Sequence, residues 1–215
     1  TEDSYTVEAE ITDGAGNTTT AEGNLEIDIT EPEIALDDNN IVNDQTPTIG
    51  GTSDQPEDSD VEVVITDGED NEVFSGTTKT NADGSWSIDV PDELAEGNYS
   101  VVAITEDEAG NPAETTGDLE VDITLPDLTV NDQVTNDTTP IISGTTDEPD
   151  GSDVIVTVDE KEYTVTVEDG GWSIEIPESD ELTEGDYTVE AEITDEAGNI
   201  TNETGDLTVD TTDPS

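Results

Sequence analysis

Cysteine, methionine, histidine and arginine are absent from this 215-residue sequence, and Lys79 and Lys161 are its only cationic side chains. Without cysteine there is no disulfide framework, and the redox compartment cannot be read from the chain. Without histidine, cysteine or arginine the usual catalytic triads and zinc sites cannot be assembled. Paired carboxylates serve glycoside hydrolysis, but nothing singles out one pair among 60 acids. The chain therefore reads as a non-enzyme. No apolar run approaches the ~20 residues that a membrane helix needs. No signal-peptide pattern opens the chain, as would hold for an internal piece of a secreted protein.

Carboxylate is what the sequence has in excess. Against 2 basic residues stand 60 acidic ones, a formal charge of -58. Such a polyanion repels nucleic acid and anionic lipid, so neither nucleic-acid binding nor direct membrane insertion is expected. It attracts cations, divalent ones above all, and suits a saline, halophilic setting in which screening lengths are short. Low hydrophobicity with high charge is also the composition of disordered chains, so folded structure has to show itself in the pattern.

The pattern is a repeat. Asp107-Glu108-Ala109-Gly110-Asn111 recurs as Asp195-Glu196-Ala197-Gly198-Asn199, with a third copy at Asp13-Gly14-Ala15-Gly16-Asn17. Thr46-Pro47-Thr48-Ile49 matches Thr139-Pro140-Ile141-Ile142, and Gly84-Ser85-Trp86-Ser87-Ile88 matches Gly171-Trp172-Ser173-Ile174. Leu94, Gly97 and Tyr99 match Leu182, Gly185 and Tyr187. The period of about 90 residues is that of a small sandwich domain. It predicts modules at 31–124 and 125–212, with 213–215 opening the next linker. Residues 1–30 match 183–212, so they correspond to the last two strands of a preceding module. An orphan hairpin is marginal in water; it is expected either to fray or to complete a sandwich with another chain, a route to self-association.

Apolar and polar residues alternate in the segments between turns. Tyr187, Val189, Ala191 and Ile193 fall on one face, and Thr188, Glu190, Glu192 and Thr194 on the other. Trp172, Ile174 and Ile176 alternate likewise, as do Val154, Val156 and Val158. This is the mark of half-buried strands, and turn residues punctuate them at sandwich rhythm. The predicted fold is all-β: tandem, seven-stranded, Greek-key β-sandwiches of immunoglobulin-like type in an elongated array. Trp86 and Trp172 are expected as core plugs rather than sugar platforms. Tyr99 and Tyr187 are placed for a tyrosine corner, with a plain core tyrosine as the other reading. A helical turn is expected near Asp92–Ala95.

Seven alternating strands put the B–C, D–E and F–G loops at one pole, beside the incoming linker. In the first full module this pole carries Asp28 and Glu31 from the linker, Asp54, Asp58 and Asp60 from the B–C loop, Asp83 from the D–E loop, and Asp107 and Asn111 from the F–G loop. In the second it carries Asp122 and Asp127, then Asp147, Glu148, Asp150 and Asp153, then Asp169, then Asp195 and Asn199. Calcium takes six to eight such oxygens at tolerant distances, so Ca2+ is the expected ion. The competing reading is that Asp and Asn are merely turn residues in solvated loops. At the other pole Asp37, Asp38, Asn43 and Asp44, echoed by Asn131, Asp132, Asn136 and Asp137, suggest solvated turns or a further ion.

The order Thr-Pro-x-Ile-x-Gly-Thr, Gly-Trp-Ser-Ile, Leu-x-x-Gly-x-Tyr-x-Val and Asp-x-Ala-Gly-Asn resembles the bacterial immunoglobulin-like extender repeats of giant, calcium-dependent, type I-secreted RTX surface adhesins. The resemblance covers essentially the whole chain. It implies a secreted, cell-surface structural spacer, partnered by neighbouring modules and stiffened by calcium, with Asp107, Asn111, Asp195, Asn199, Asp28 and Asp122 as ligands. Two alternatives stand beside it: an extracellular filament subunit assembled by strand complementation, and a ligand-binding module for carbohydrate or ice.

Overall fold

The computed structural model describes residues 2–38 and 41–213, so the last two residues of the expected 213–215 linker lie outside the described residues. The chain divides into two compact units, residues 1–40 with 45–120, and residues 41–44 with 121–215. The regular elements among the described residues are all strands, apart from one single-turn 3-10 helix at Glu178–Asp180.

The chain opens with an antiparallel hairpin, β1 (Asp3–Thr12) and β2 (Thr18–Ile27), paired from Asp3–Ile27 to Thr12–Thr18. The strands of the first sandwich follow: β3 (Ile34–Leu36), β4 (Ile41–Val42), β5 (Thr48–Ser53), β6 (Asp60–Asp67), β7 (Glu72–Lys79), β8 (Ser85–Asp89), β9 (Gly97–Glu106) and β10 (Pro112–Val121). One sheet runs β3-β5-β8 and the other β4-β10-β9-β6-β7. The first strand is thus split, with β3 on one sheet and β4 on the other.

The second sandwich repeats the plan with β11 (Gln133–Thr135), β12 (Ile141–Thr145), β13 (Asp153–Val158), β14 (Lys161–Thr166), β15 (Gly171–Glu175), β16 (Gly185–Thr194) and β17 (Ile200–Val209). Its sheets are β12-β15 and β11-β17-β16-β13-β14. Leu128 bridges Thr146 at the place where β3 lies in the first sandwich. β11 runs parallel to β17, pairing Gln133–Thr135 with Leu207–Val209. In both sandwiches the fourth strand joins the third (β7 to β6, β14 to β13), and the fifth crosses to the second.

The alternation read from sequence becomes inside and outside. Val61, Val63 and Ile65 have no exposed surface, and Val154, Val156 and Val158 are buried at 1% or less. Trp86 and Trp172 are 2% and 3% exposed, which makes them core plugs. Each indole lies on a glycine. A Cβ at Gly51 would sit 2.6 Å from Trp86 Cζ2 and 2.0 Å from the Ala35 carbonyl oxygen. One at Gly144 would sit 2.5 Å from Trp172 Cζ2 and 1.8 Å from the Thr129 carbonyl oxygen.

Tyr99 donates its hydroxyl to the Ala95 carbonyl at 2.7 Å, and Tyr187 donates to the Thr183 carbonyl at 2.8 Å. Both are tyrosine corners, which pin the start of the sixth strand to the chain four residues upstream. The helical turn expected at Asp92–Ala95 is absent. A single turn forms instead at Glu178–Asp180, where the second sandwich has two more residues between its proline, Pro177, and Leu182 than the first has between Pro91 and Leu94.

Candidate functional site

The Asp-x-Ala-Gly-Asn loop folds onto its own first residue. In the F–G loop of the first sandwich, Asp107 Oδ1 accepts the Asn111 backbone N–H at 2.8 Å, and Oδ2 accepts the Asn111 side-chain amide at 2.8 Å. Asp195 and Asn199 repeat both bonds at 2.8 Å, as do Asp13 and Asn17. Gly16, Gly110 and Gly198 adopt φ of 88°, 91° and 92°. Only glycine enters that region without strain, and this is why the fourth position of the motif is fixed.

The same asparagine then reaches the linker. Asn111 Nδ2 donates to the Asp28 carbonyl at 3.2 Å, and Asn199 Nδ2 donates to the Asp122 carbonyl at 2.9 Å. Asn199 is 8% exposed. A second tie comes from the B–C loop. Asp54 Oδ1 accepts the Glu33 N–H at 2.9 Å, and Asp147 Oδ1 accepts the Asp127 N–H at 2.7 Å. The D–E turn closes the pole, since Gly84 and Gly170 offer their carbonyls to the N–H groups of Ser53 and Thr146. Linker and three loops therefore meet at one pole of each sandwich.

The remaining sequence-predicted residues are placed as follows. Asp28 and Asp122 each accept the N–H two residues on, from Thr30 at 3.0 Å and Thr124 at 2.9 Å. Asp60 forms an ion pair with Lys79 at 2.6 Å, and Asp58, at φ 70°, gives the same ammonium its carbonyl at 2.9 Å. Asp83 accepts the Ser85 hydroxyl at 2.6 Å. Glu31, Asp127, Asp150 and Asp153 are exposed. At the other pole Asp132 caps the Asp206 N–H at 2.9 Å and Asp137 the Thr139 N–H at 2.9 Å. Among the described residues no three acidic side chains converge closely enough to hold an ion. The physical reason is local: most of these carboxylates bend back to nearby N–H and O–H donors.

One acid differs. Glu148 has its carboxyl pushed above the usual range by partial burial first, then by the negative charges of Asp195, Asp147 and Asp122. Its counterpart in the first sandwich is Gln55, whose amide donates to Asp54 Oδ1 at 3.2 Å. A raised carboxyl pKa means that ionised Glu148 opposes folding above that pKa, and that the penalty is relieved as pH falls through it. Glu148→Gln should therefore raise the unfolding midpoint in metal-free buffer at pH 7, by about 2 °C given solvent screening. The difference from wild type should shrink as the pH is lowered; calorimetry across the pH range checks it. Asp107 behaves in the opposite sense. The Asn111 amide, followed by its backbone N–H, holds Asp107 below the ordinary carboxylate value. Its contribution is complete above that value and is lost as pH falls through the lowered one.

The sequence reading places Glu148 beside Asp147 among the acids of this pole, but not its surroundings, to which two other segments bring Asp122 and Asp195. One element escaped it. Asp67-Gly68-Glu69-Asp70-Asn71 forms the same closed turn between β6 and β7, with the Asn71 amide 3.1 and 3.2 Å from the Asp67 oxygens. The closed turn is thus not confined to F–G loops, and the reach to a linker carbonyl is what sets the F–G copies at 107–111 and 195–199 apart.

This plan can be set against known proteins. The sequence pattern described as a bacterial Ig-like domain matches residues 35–123 and again 128–211, and a second pattern of that description matches 1–28. The chain belongs to the bacterial Ig-like domain family. Bacterial Ig-like domains of this kind are structural modules, not enzymes. No curated protein shows significant similarity to the chain. Among solved structures, a tetra-tandem repeat in the extending region of a large adhesion protein is 31% identical, with 98% of this chain and 57% of that one covered and a TM-score of 0.44. A Ca2+-stabilized adhesin with which an Antarctic bacterium reaches out and binds ice is 26% identical, with 96% and 57% covered and a TM-score of 0.42. A 1.5-MDa bacterial ice-binding adhesin is 23% identical, with 95% and 74% covered and a TM-score of 0.39. The chain spans 57% of the length of each of the first two. No helix among the described residues is long and apolar enough to cross a membrane.

Proposed function

We propose that this bacterial Ig-like array is a structural extender of a secreted, cell-surface adhesin, with modules at 31–124 and 125–212 whose linkers are stiffened by calcium. The observation that carries this reading is the repeated clasp. An F–G asparagine holds the carbonyl of the incoming linker in both sandwiches, and a B–C aspartate holds a linker N–H beside it. A chain built to transmit position along its length needs its linkers tied in this way.

The donor set fits a hard divalent cation in chemistry. Carboxylates of Asp122, Asp147 and Asp195 lie near enough to Glu148 to raise its pKa, and oxygen ligands of this kind suit Ca2+. In the first sandwich the corresponding groups are Asp28, Asp54 and Asp107, with Gln55 offering an amide oxygen in place of a carboxylate. Bound there, calcium would supply the positive charge that two lysines cannot. The chain's own part is to hold linker and loop together while those charges repel.

The test is thermal unfolding in calcium, magnesium and sodium at matched ionic strength. An ion that binds only the folded state raises the midpoint by mass action. At ~100-fold excess over its dissociation constant, calcium should add about 10–20 °C to a module of this size. An equal rise with sodium would mean simple screening and would refute the calcium part of the proposal.

A further inference from the structure

The two sandwiches match in their cores but not on the outer face of their five-stranded sheets. In the second, Ile155 lies between Thr164 and Glu192, and Thr157 lies between Glu162 and Glu190. The equivalent rows in the first are Thr77, Glu62 and Ile104, then Ser75, Val64 and Val102. These side chains face outward, because their strand neighbours Val61, Val63, Val101 and Ala103 fill the core. Val102 and Ile104 thus stand where the second sandwich has Glu190 and Glu192, and Val64 stands where it has Thr157. All three are only half-buried. Aliphatic side chains have replaced carboxylates at the centre of an exposed sheet, in a chain whose surface is otherwise crowded with acid.

Acids border this patch on one side. A groove of about 700 Å³, lined by Pro56, Asp60, Glu62, Thr77, Ile104 and Glu106 among others, joins them to it. An ammonium already sits at one corner, since Lys79 Nζ donates to Asp60 Oδ1 at 2.6 Å and to the Asp58 carbonyl at 2.9 Å. Glu62 and Glu106 pair with no cation among the described residues. Side chains two residues apart on a strand face the same way at about 7 Å spacing. Along β9 that series is Val102, Ile104 and Glu106; along β6 it is Val64, Glu62 and Asp60. An apolar patch rimmed by charge is the character of an interaction surface. We propose that this face docks an extended segment of a partner protein in which two aliphatic side chains, at alternate positions, are followed by two cationic ones. The aliphatic pair covers Val64, Val102 and Ile104, and the cations meet Glu62 and Glu106. Charge decides against a second copy of this chain, which at -58 would bring like charge to the same rim. The inference does not rest on the calcium reading, whose groups in this sandwich are Asp28, Asp54 and Asp107.

The experiment adds the end-blocked peptide Val-Ser-Val-Ser-Lys-Ser-Lys to the isotope-labelled full chain in metal-free buffer and follows backbone amides by NMR. Amides of residues 62–65 and 102–106 should shift, with half-saturation below about 1 mM. Residues 155–158 and 190–193 should respond at least tenfold more weakly, although their face carries more acid. Replacing both peptide valines by serine leaves the charge unchanged and should weaken binding at least tenfold. Val102→Glu with Ile104→Glu should abolish the shifts, and the fold tolerates the pair because the second sandwich carries glutamate at both places. The reverse pair, Glu190→Val with Glu192→Ile, should create a second site. Equal shifts in the two sandwiches, or equal binding of the serine peptide, would mean unspecific charge attraction and would overturn the proposal. So would the absence of shifts at about 1 mM peptide, or self-association of the chain that Val102→Glu removes, which would make a second copy the occupant.

Discussion

Gly144→Ala is expected to unfold the second sandwich. The added methyl would lie 1.8 Å from the Thr129 carbonyl and 2.5 Å from the Trp172 ring, distances at which no relaxation of one side chain suffices. The carbonyl is backbone, of a residue whose N–H is tied to the Thr145 carbonyl at 2.8 Å, and the indole is buried. Either the first strand leaves the sheet or the tryptophan leaves the core. We expect a loss of about 4 kcal/mol or more, which for a module of this size lowers the midpoint by at least ~20 °C. Gly51→Ala should do the same to the first sandwich, where the distances are 2.0 and 2.6 Å. Gly68→Ala, with nothing within 4 Å of the new methyl, is the control. Near-ultraviolet circular dichroism with heating reads the result. A midpoint within a few degrees of wild type for Gly144→Ala would show that the indole does not sit on this glycine.

Asn199→Asp is the second large effect. The substitution puts a carboxylate where an amide donates to Asp195 Oδ2 at 2.8 Å and to the Asp122 carbonyl at 2.9 Å. Two attractive contacts become repulsive at a site 8% exposed. Removing the donor alone, in Asn199→Ala, should cost about 1–3 kcal/mol. The carboxylate should cost about 3–4 kcal/mol in metal-free buffer, or a midpoint about 15 °C lower. Calcium should restore more of this loss than it adds to wild type, because the substitution supplies one more oxygen. Asn111→Asp should cost less, since Asn111 is only half-buried and its linker bond is longer at 3.2 Å. If both variants melt with wild type, the clasp contributes nothing to the fold.

Much of this fold was legible from the chain because its signals are local. Tyr187, Val189, Ala191 and Ile193 alternate strictly, and the structure buries that face while Thr188, Glu190 and Thr194 stay outside. The tyrosine corners were legible for the same reason, since Tyr99 and Ala95 are four residues apart. The partner of the fourth strand was not. Nothing in Glu72–Lys79 says whether it joins the third strand or the fifth, because both choices bury the same residues and differ only in which edge is free. The loops still gather at the expected pole, since either choice reverses the chain the same number of times. The candidate site was half legible. Composition located Asp107, Asn111, Asp195 and Asn199, but assigned them as oxygen donors. The asparagines instead use their amide nitrogens, because a carbonyl of the linker and a carboxylate of the loop both lie within reach. Glu148 was legible as an acid of this pole but its raised pKa was not, because Asp122 and Asp195 reach it only after the strands between them have paired.

The parallel pairing of Gln133–Thr135 with Leu207–Val209 joins the first stretch of the module to its last. Tension applied to the two ends pulls these neighbours in opposite directions along their length. Their bonds are then stretched together instead of opening one after another like a zipper. A sandwich whose ends meet in this geometry resists stretching at the outset, before its inner strands are disturbed.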